Sequence, residues 1–282
     1  MKNSTGRKAF LVINAIFIAV VCILVVIPIW MVIVTSLSTN GVAAEEGFVL
    51  IPKGIDFSSY VTIFTGRTYL GSFIRSVWIT LAATAISMLL TTMLAYGLSQ
   101  SGLMFRNTFN QLILITMVID GGIIPFYMVV MKLGMIDSYW SLLIPMAIQT
   151  YNLILMRNFF KSVPESLMES ARLDGASEMR ILASIVLPVS LPIIAAVALF
   201  YLVSHWNRYF EVIMFINDSR KYTLQVILRQ MLFQSENTES TGIMYNNFKM
   251  AVMVMAMLPI IIVYPFVQKY FISGLMLGSV KG

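Results

Sequence analysis

The chain has 282 residues, 59% of them hydrophobic and 11% charged, with a net charge of +6 and a single cysteine. A water-soluble domain cannot hide that much apolar surface, so the composition excludes one and points to an all-α polytopic membrane protein. The cations are scattered and lie largely at the ends of apolar runs, which fits membrane orientation rather than nucleic-acid binding, and the lone Cys22 excludes a disulfide framework or a cysteine metal site.

Six apolar runs are expected to cross the bilayer, each near the roughly 20 residues that a helix needs. They cover about 10–34, 73–98, 109–131, 139–156, 181–204 and 250–267, within one transmembrane domain spanning 1–282. The first follows Lys2, Arg7 and Lys8 and carries no charge before Glu45. That start is like the basic region of a signal peptide. The apolar run is too long, and it lacks a small-residue cleavage site, so a retained helix is expected. The loop 36–72 holds Pro52, Gly54 and Asp56 with the aromatics Phe57, Tyr60 and Phe64. The tight loop 99–108 holds Arg106 and no acid.

The third run contains Asp120, flanked by Gly121 and Gly122 and followed by Pro125. A charge at mid-bilayer costs roughly 2.5–3.5 kcal/mol on insertion scales. Gly-Gly and Pro predict an interrupted helix lining an interior space. Two roles stand for Asp120: an acceptor for hydroxyls of a polar solute, or a partner for backbone N–H groups freed by the break. Gln149, Tyr151 and Asn152 in the fourth run, and Trp206 and Asn207 after the fifth, are further pathway candidates. Tyr96 and Tyr127 are expected as interfacial aromatics. His205 and Trp206 close the fifth run, where an anchoring Trp beside a solvated His competes with a ring that stacks on a solute.

Residues 161–188 form a charged island between two apolar runs. Glu165, Glu169, Arg172, Asp174, Glu178 and Arg180 crowd into it. Ser162 and Glu165 have capping-box spacing, and Pro164 suits a first helical turn. Leu167, Met168 and Ala171 share one helical face, and Glu165, Glu169 and Arg172 another. Gly175 fits a left-handed C′ position and Ser177 fits the cap of a second short helix. An ordinary polar loop is the competing reading. The fifth run then leads to a long loop, 206–249, with an amphipathic segment, 224–233, and a polar stretch, 234–247.

The island resembles the EAA motif of membrane subunits in bacterial ATP-binding-cassette importers. The matching residues are Glu169, Ser170 and Ala171, then Gly175, then Ile185, Leu187 and Pro188, with Ser170 the one departure. NLILMRNFF at 152–160, the Trp206-Asn207 pair and the ending QKYFISGLMLGSVKG are similar to the shorter permease subunit of maltose-type carbohydrate importers. The resemblance implies a permease that translocates a sugar or oligosaccharide. It implies coupling through Glu165, Glu169, Ser170, Ala171, Asp174, Gly175, Leu187 and Pro188. The implied partners are a second homologous permease, two ATPase subunits carrying ATP and Mg, an extracellular solute-binding protein and membrane lipid. No cofactor is expected on this chain itself. The short-loop cations place both termini and the island in the cytoplasm of a bacterial cell. A permease for another solute class is the alternative. No Walker A, HExxH or GxSxG sequence occurs, which argues against nucleotide binding here and against an intramembrane hydrolase. A passive channel would need no docking island.

Overall fold

A computed structural model describes residues 5–39, 50–52, 54–236 and 246–279. Among the described residues the chain is almost wholly helical, and its only strand-like feature is an isolated bridge between Ser38 and Ile55. The helices are α1 (Thr5–Leu37), α2 (Ser58–Thr65), α3 (Arg67–Ser99), α4 (Arg106–Val118), α5 (Ile123–Lys132), α6 (Trp140–Leu143) and α7 (Thr150–Phe160). There follow α8 (Glu165–Leu173), α9 (Glu178–Val189, with a π turn at Leu182–Val186), α10 (Leu191–Trp206), α11 (Phe210–Phe215), α12 (Leu224–Glu236) and α13 (Asn246–Ser279).

Among the described residues three helices, α1, α3 and α13, are each long and apolar enough to cross a membrane. The third expected span is α4 and α5, bent by 115° at the break around Asp120, and the fifth is α9 and α10, bent by 87° at Ser190. Counting each bent pair as one span gives five. The six-span expectation is therefore not established. Its fourth run forms no helix of spanning length, only α6 and α7 with irregular backbone at 144–149 between them. Pro145 lies in that stretch, where it can supply no amide to continue a helix.

The chain divides into two compact units. The first holds Met1–Leu70 and Leu228–Leu258. Its polar contacts tie the end of α1 to its neighbours: the Ser36 and Tyr60 hydroxyls are 2.6 Å apart, and Asn247 Nδ2 donates to Ser38 O at 3.3 Å. Asp56 accepts from both the amide and the hydroxyl of Ser58 at the start of α2.

The second unit holds Gly71–Ile227 and Pro259–Gly282. Its long helix α3 buries a stripe of small polar side chains, Ser72, Ser76, Thr80, Ser87 and Thr91. Small residues admit close helix approach, and in lipid such side chains gain from interhelical hydrogen bonds, on average about 0.6 kcal/mol each. Ser87 Oγ meets His205 Nε2 at 3.0 Å, and Thr91 Oγ1 meets Tyr201 Oη at 2.6 Å. Two apolar clusters sit toward opposite ends of α3. One gathers Tyr96, Leu98, Met156, Phe160, Met168, Ile181 and Tyr201; the other gathers Ile79, Leu142, Val212, Phe215 and Val226.

The loops sort onto those two ends. Arg75 Nε donates to Tyr222 O at one end of α3, whereas Gln100, just past the other end, receives a bond from Arg172. Arg75 and Tyr96 are separated by about 32 Å at 1.5 Å per residue, close to the roughly 30 Å hydrocarbon thickness. The loop 132–138 joins the first end: Asp137 accepts from the amides of Asn217 and Asp218 and from Lys221 Nζ at 2.8 Å. The Lys221 ammonium, then these amides, hold the Asp137 carboxyl below the usual carboxylate range.

Candidate functional site

The charged island folds as two short helices around a tight turn. Gly175 adopts φ +78°, the left-handed region open to glycine. The amide of Ala176 bonds to Ala171 O at 2.9 Å and that of Gly175 to Arg172 O at 3.0 Å, the paired bonds of a Schellman C-cap. The Ser177 hydroxyl then accepts from the Arg180 amide at the start of α9. The C-cap and the second cap follow the sequence expectation.

The capping box does not form. Pro164 occupies the N-cap of α8, and no side chain caps it. The Ser162 hydroxyl instead donates to Phe159 O, closing the preceding helix. Glu165 Oε1 accepts from Ser101 Oγ at 2.7 Å, across the interval between α3 and α4. A tertiary partner has displaced a local one.

Burial divides the island. Met168 is buried and Ala171 half-buried against the cluster of Tyr96, Ile181 and Leu182. Leu167, grouped with them by helical spacing, is exposed. Glu169, Ser170, Asp174, Gly175 and Pro188 are exposed, and Leu187 is half-buried. Leu173 is 90% exposed and Met179 60%, two large apolar side chains beside carboxylates on a surface turn.

Behind the exposed face, three elements meet. Arg172 Nε donates to Glu178 Oε1 at 2.8 Å, and Arg172 Nη2 to Gln100 Oε1 at 2.8 Å. Tyr96 Oη donates to Glu178 Oε2 at 2.5 Å. The hydrogen bond to Glu178 holds Arg172 more firmly in its charged form. Tyr96, expected as an interfacial aromatic, is a buried contact residue whose hydroxyl reaches the island. Sequence reasoning missed this group because the partners lie six and more than seventy residues apart, beyond any helical spacing.

The pathway candidates do not converge on one surface. Asp120 is exposed in the break between α4 and α5 and accepts the Gly122 amide at 3.1 Å, where Gly122 has φ +82°. The interrupted helix is as expected, and the carboxylate serves the freed backbone. Gln149 donates to Ser204 Oγ and accepts from Asn152, which is buried. Tyr151 is 58% exposed. Trp206 is buried, in a T-shaped contact with Phe73, and Asn207 donates to Val203 O. His205 is neither solvated nor exposed; it is buried between Ser87 and Arg208. Tyr127 lies parallel to Phe215. The amphipathic segment 224–233 is helical within α12, whereas most of the polar stretch 234–247 lies outside the described residues.

Among the described residues the chain is thus a helical, multi-span protein with broken helices and an exposed, capped turn at one end of α3. The chain belongs to the family of binding-protein-dependent transport system inner membrane components, whose model matches residues 1–276. It is 40% identical to Protein LplC of Bacillus subtilis, covering 100% of this chain and 98% of that one. It is 41% identical to the polygalacturonan/rhamnogalacturonan transport system permease protein YtcP of the same organism, covering 94% and 96%. Among solved structures it matches a chain of a bacterial ABC transporter involved in the import of the acidic polysaccharide alginate, with TM-score 0.86 and 31% identity, covering 96% of this chain and 99% of that one.

Proposed function

We propose that this chain is the permease subunit of an ATP-driven oligosaccharide importer, and that residues 161–188 dock onto a separate cytoplasmic ATPase. The observation that carries the docking is the exposed turn, with Glu169, Leu173 and Met179 outward and Met168 and Ile181 anchored inward. An outward carboxylate beside apolar side chains suits a partner groove that offers a guanidinium. In this reading a second, related permease completes the pathway, two ATPases carry ATP and Mg, and an extracellular binding protein delivers the solute. Both termini and the 99–108 loop lie in the cytoplasm with the turn. The sharing of one end by Ser101, Gln100 and the island supports that topology.

The oligosaccharide assignment rests on relatives named for polygalacturonan/rhamnogalacturonan and arabinooligosaccharides, the latter at 29% identity. A relative named for sn-glycerol-3-phosphate, at 31% identity over 74% of this chain, keeps a second solute class open. Uptake by cells with and without the gene, across galacturonate, rhamnogalacturonan and arabinose oligomers and glycerol-3-phosphate, tests it. Loss of uptake confined to glycerol-3-phosphate would overturn the sugar reading. In a Cys22→Ser background, an impermeant thiol reagent applied to intact cells should modify Ser219→Cys and spare Ser177→Cys.

A further inference from the structure

The group formed by Tyr96, Gln100, Arg172 and Glu178 lies behind the outward face on which the docking reading rests. Its position is unusual. Arg172 lies in α8 and Glu178 opens α9, so their ion pair bridges the turn at Gly175. A β-carbon built at Gly175 would meet nothing within 4 Å, so the glycine itself has no packing neighbour, and within the turn only the following Ala176 touches the apolar cluster. Both members of the pair are also bonded to the far end of α3, Arg172 through Gln100 and Glu178 through Tyr96. A third bond, from Ser101 to Glu165, fixes the start of α8 to the same place.

The group contributes little to holding the fold. The Arg172 and Glu178 side chains are 36% and 55% exposed, and exposed ion pairs stabilise weakly. Anchoring is already supplied by Met168, Ile181 and Leu182 packing on Tyr96 and Leu98. What the polar group adds is direction. Apolar contacts allow sliding, whereas a guanidinium held by a carboxylate and an amide at once fixes an angle. Without it, a push on the exposed turn would bend the chain at Asp174–Ala176.

We infer that Tyr96, Gln100, Arg172 and Glu178 are positioning residues that brace the turn against α3, so that displacement of the turn reaches α3 instead of being absorbed at Gly175. The inference rests on the turn being the ATPase-docking surface. Gln100 and Tyr96 each both donate and accept, so a reversed ion pair would satisfy the same neighbours.

The test uses the importer purified with its ATPases in lipid nanodiscs, with ATP and orthovanadate as the probe. The chain carries Cys22→Ser and an environment-sensitive fluorophore on Leu89→Cys, an exposed position of α3. Two quantities are read: nucleotide trapped per complex, and the fluorophore shift on trapping. Arg172→Met and Glu178→Gln should retain the ATPase, the trapped nucleotide and the melting temperature, yet lose most of the shift. Arg172→Glu combined with Glu178→Arg should regain it. A full shift in either single variant overturns the brace, as does a reversed pair that regains none. Loss of the ATPase from both single variants would make the pair part of the docking surface and overturn the positioning role. If the unaltered chain holds no ATPase, the docking reading falls and the brace falls with it.

Discussion

Replacing Gly175 tests the turn most directly. Its φ of +78° lies where a β-carbon crowds the following carbonyl, at a cost of roughly 1–2 kcal/mol. No neighbouring atom lies within 4 Å of a β-carbon built there, so the cost is backbone strain alone, with no steric clash added. The bonds under strain are those of the Gly175 and Ala176 amides to Arg172 O and Ala171 O. A loss of about 1–2 kcal/mol corresponds to a roughly 5–30-fold rise in the open population, which hydrogen exchange at the Ala176 amide reads directly. Gly175→Val should lie at or above the top of that range, Gly175→Ala within it and Gly175→Asn below it, because asparagine tolerates the left-handed region. Gly102 also has free space around it but no positive φ, so Gly102→Ala is the control and should leave exchange at Ala176 unchanged. Co-purified ATPase, measured on the same samples, should fall in the same order. Equal exchange in Gly175→Val and the unaltered chain would refute the strain argument. Full ATPase retention despite accelerated exchange would refute the claim that turn geometry matters to docking.

Glu169→Lys should release the ATPase from the purified complex, since it reverses a carboxylate whose charge-assisted bond is worth roughly 1.5–3 kcal/mol. Glu165→Lys should release much less, because Glu165 is committed to Ser101; equal release would spread the docking face over the whole helix. Asp120→Asn keeps an acceptor for the Gly122 amide, while Asp120→Ala strips it at a cost of about 0.5–1.5 kcal/mol. Complex yield should therefore drop for Ala only, and solute uptake that changes in Asn at normal yield would add a pathway role. The Asp137 carboxyl is held low by Lys221 and the 217–218 amides. A carboxyl with a lowered folded pKa stabilises fully above its ordinary value of about 3.9 and loses that contribution as pH falls through the folded value. Melting temperature should accordingly fall more steeply with pH below about 4 in the unaltered chain than in Asp137→Asn; parallel curves would show that the contact carries no linkage.

Much of this protein is determined locally and is legible in residue order. The membrane class follows from apolar runs that no soluble core could bury. The turn follows from Gly175 and Ser177, whose backbone demands are satisfied within a few residues. The break at Asp120 follows from Gly121, Gly122 and Pro125, which weaken a helix wherever they occur. The failures share a cause as well. Ser162 and Glu165 have the spacing of a local cap, but a partner 64 residues away takes the glutamate. Trp206 and His205 read as a span-end pair, yet Phe73, Ser87 and Arg208 enclose them. Residues 139–156 are apolar enough for a span, but their backbone divides into α6 and α7. The brace of Arg172 against Gln100, Glu178 and Tyr96 exists only because folding brings the far end of α3 to the turn. Sequence spacing sets what a side chain can do with its own helix. Which distant group claims its hydrogen bonds is settled by packing, because a buried or half-buried polar atom takes the partner that the tertiary fold supplies.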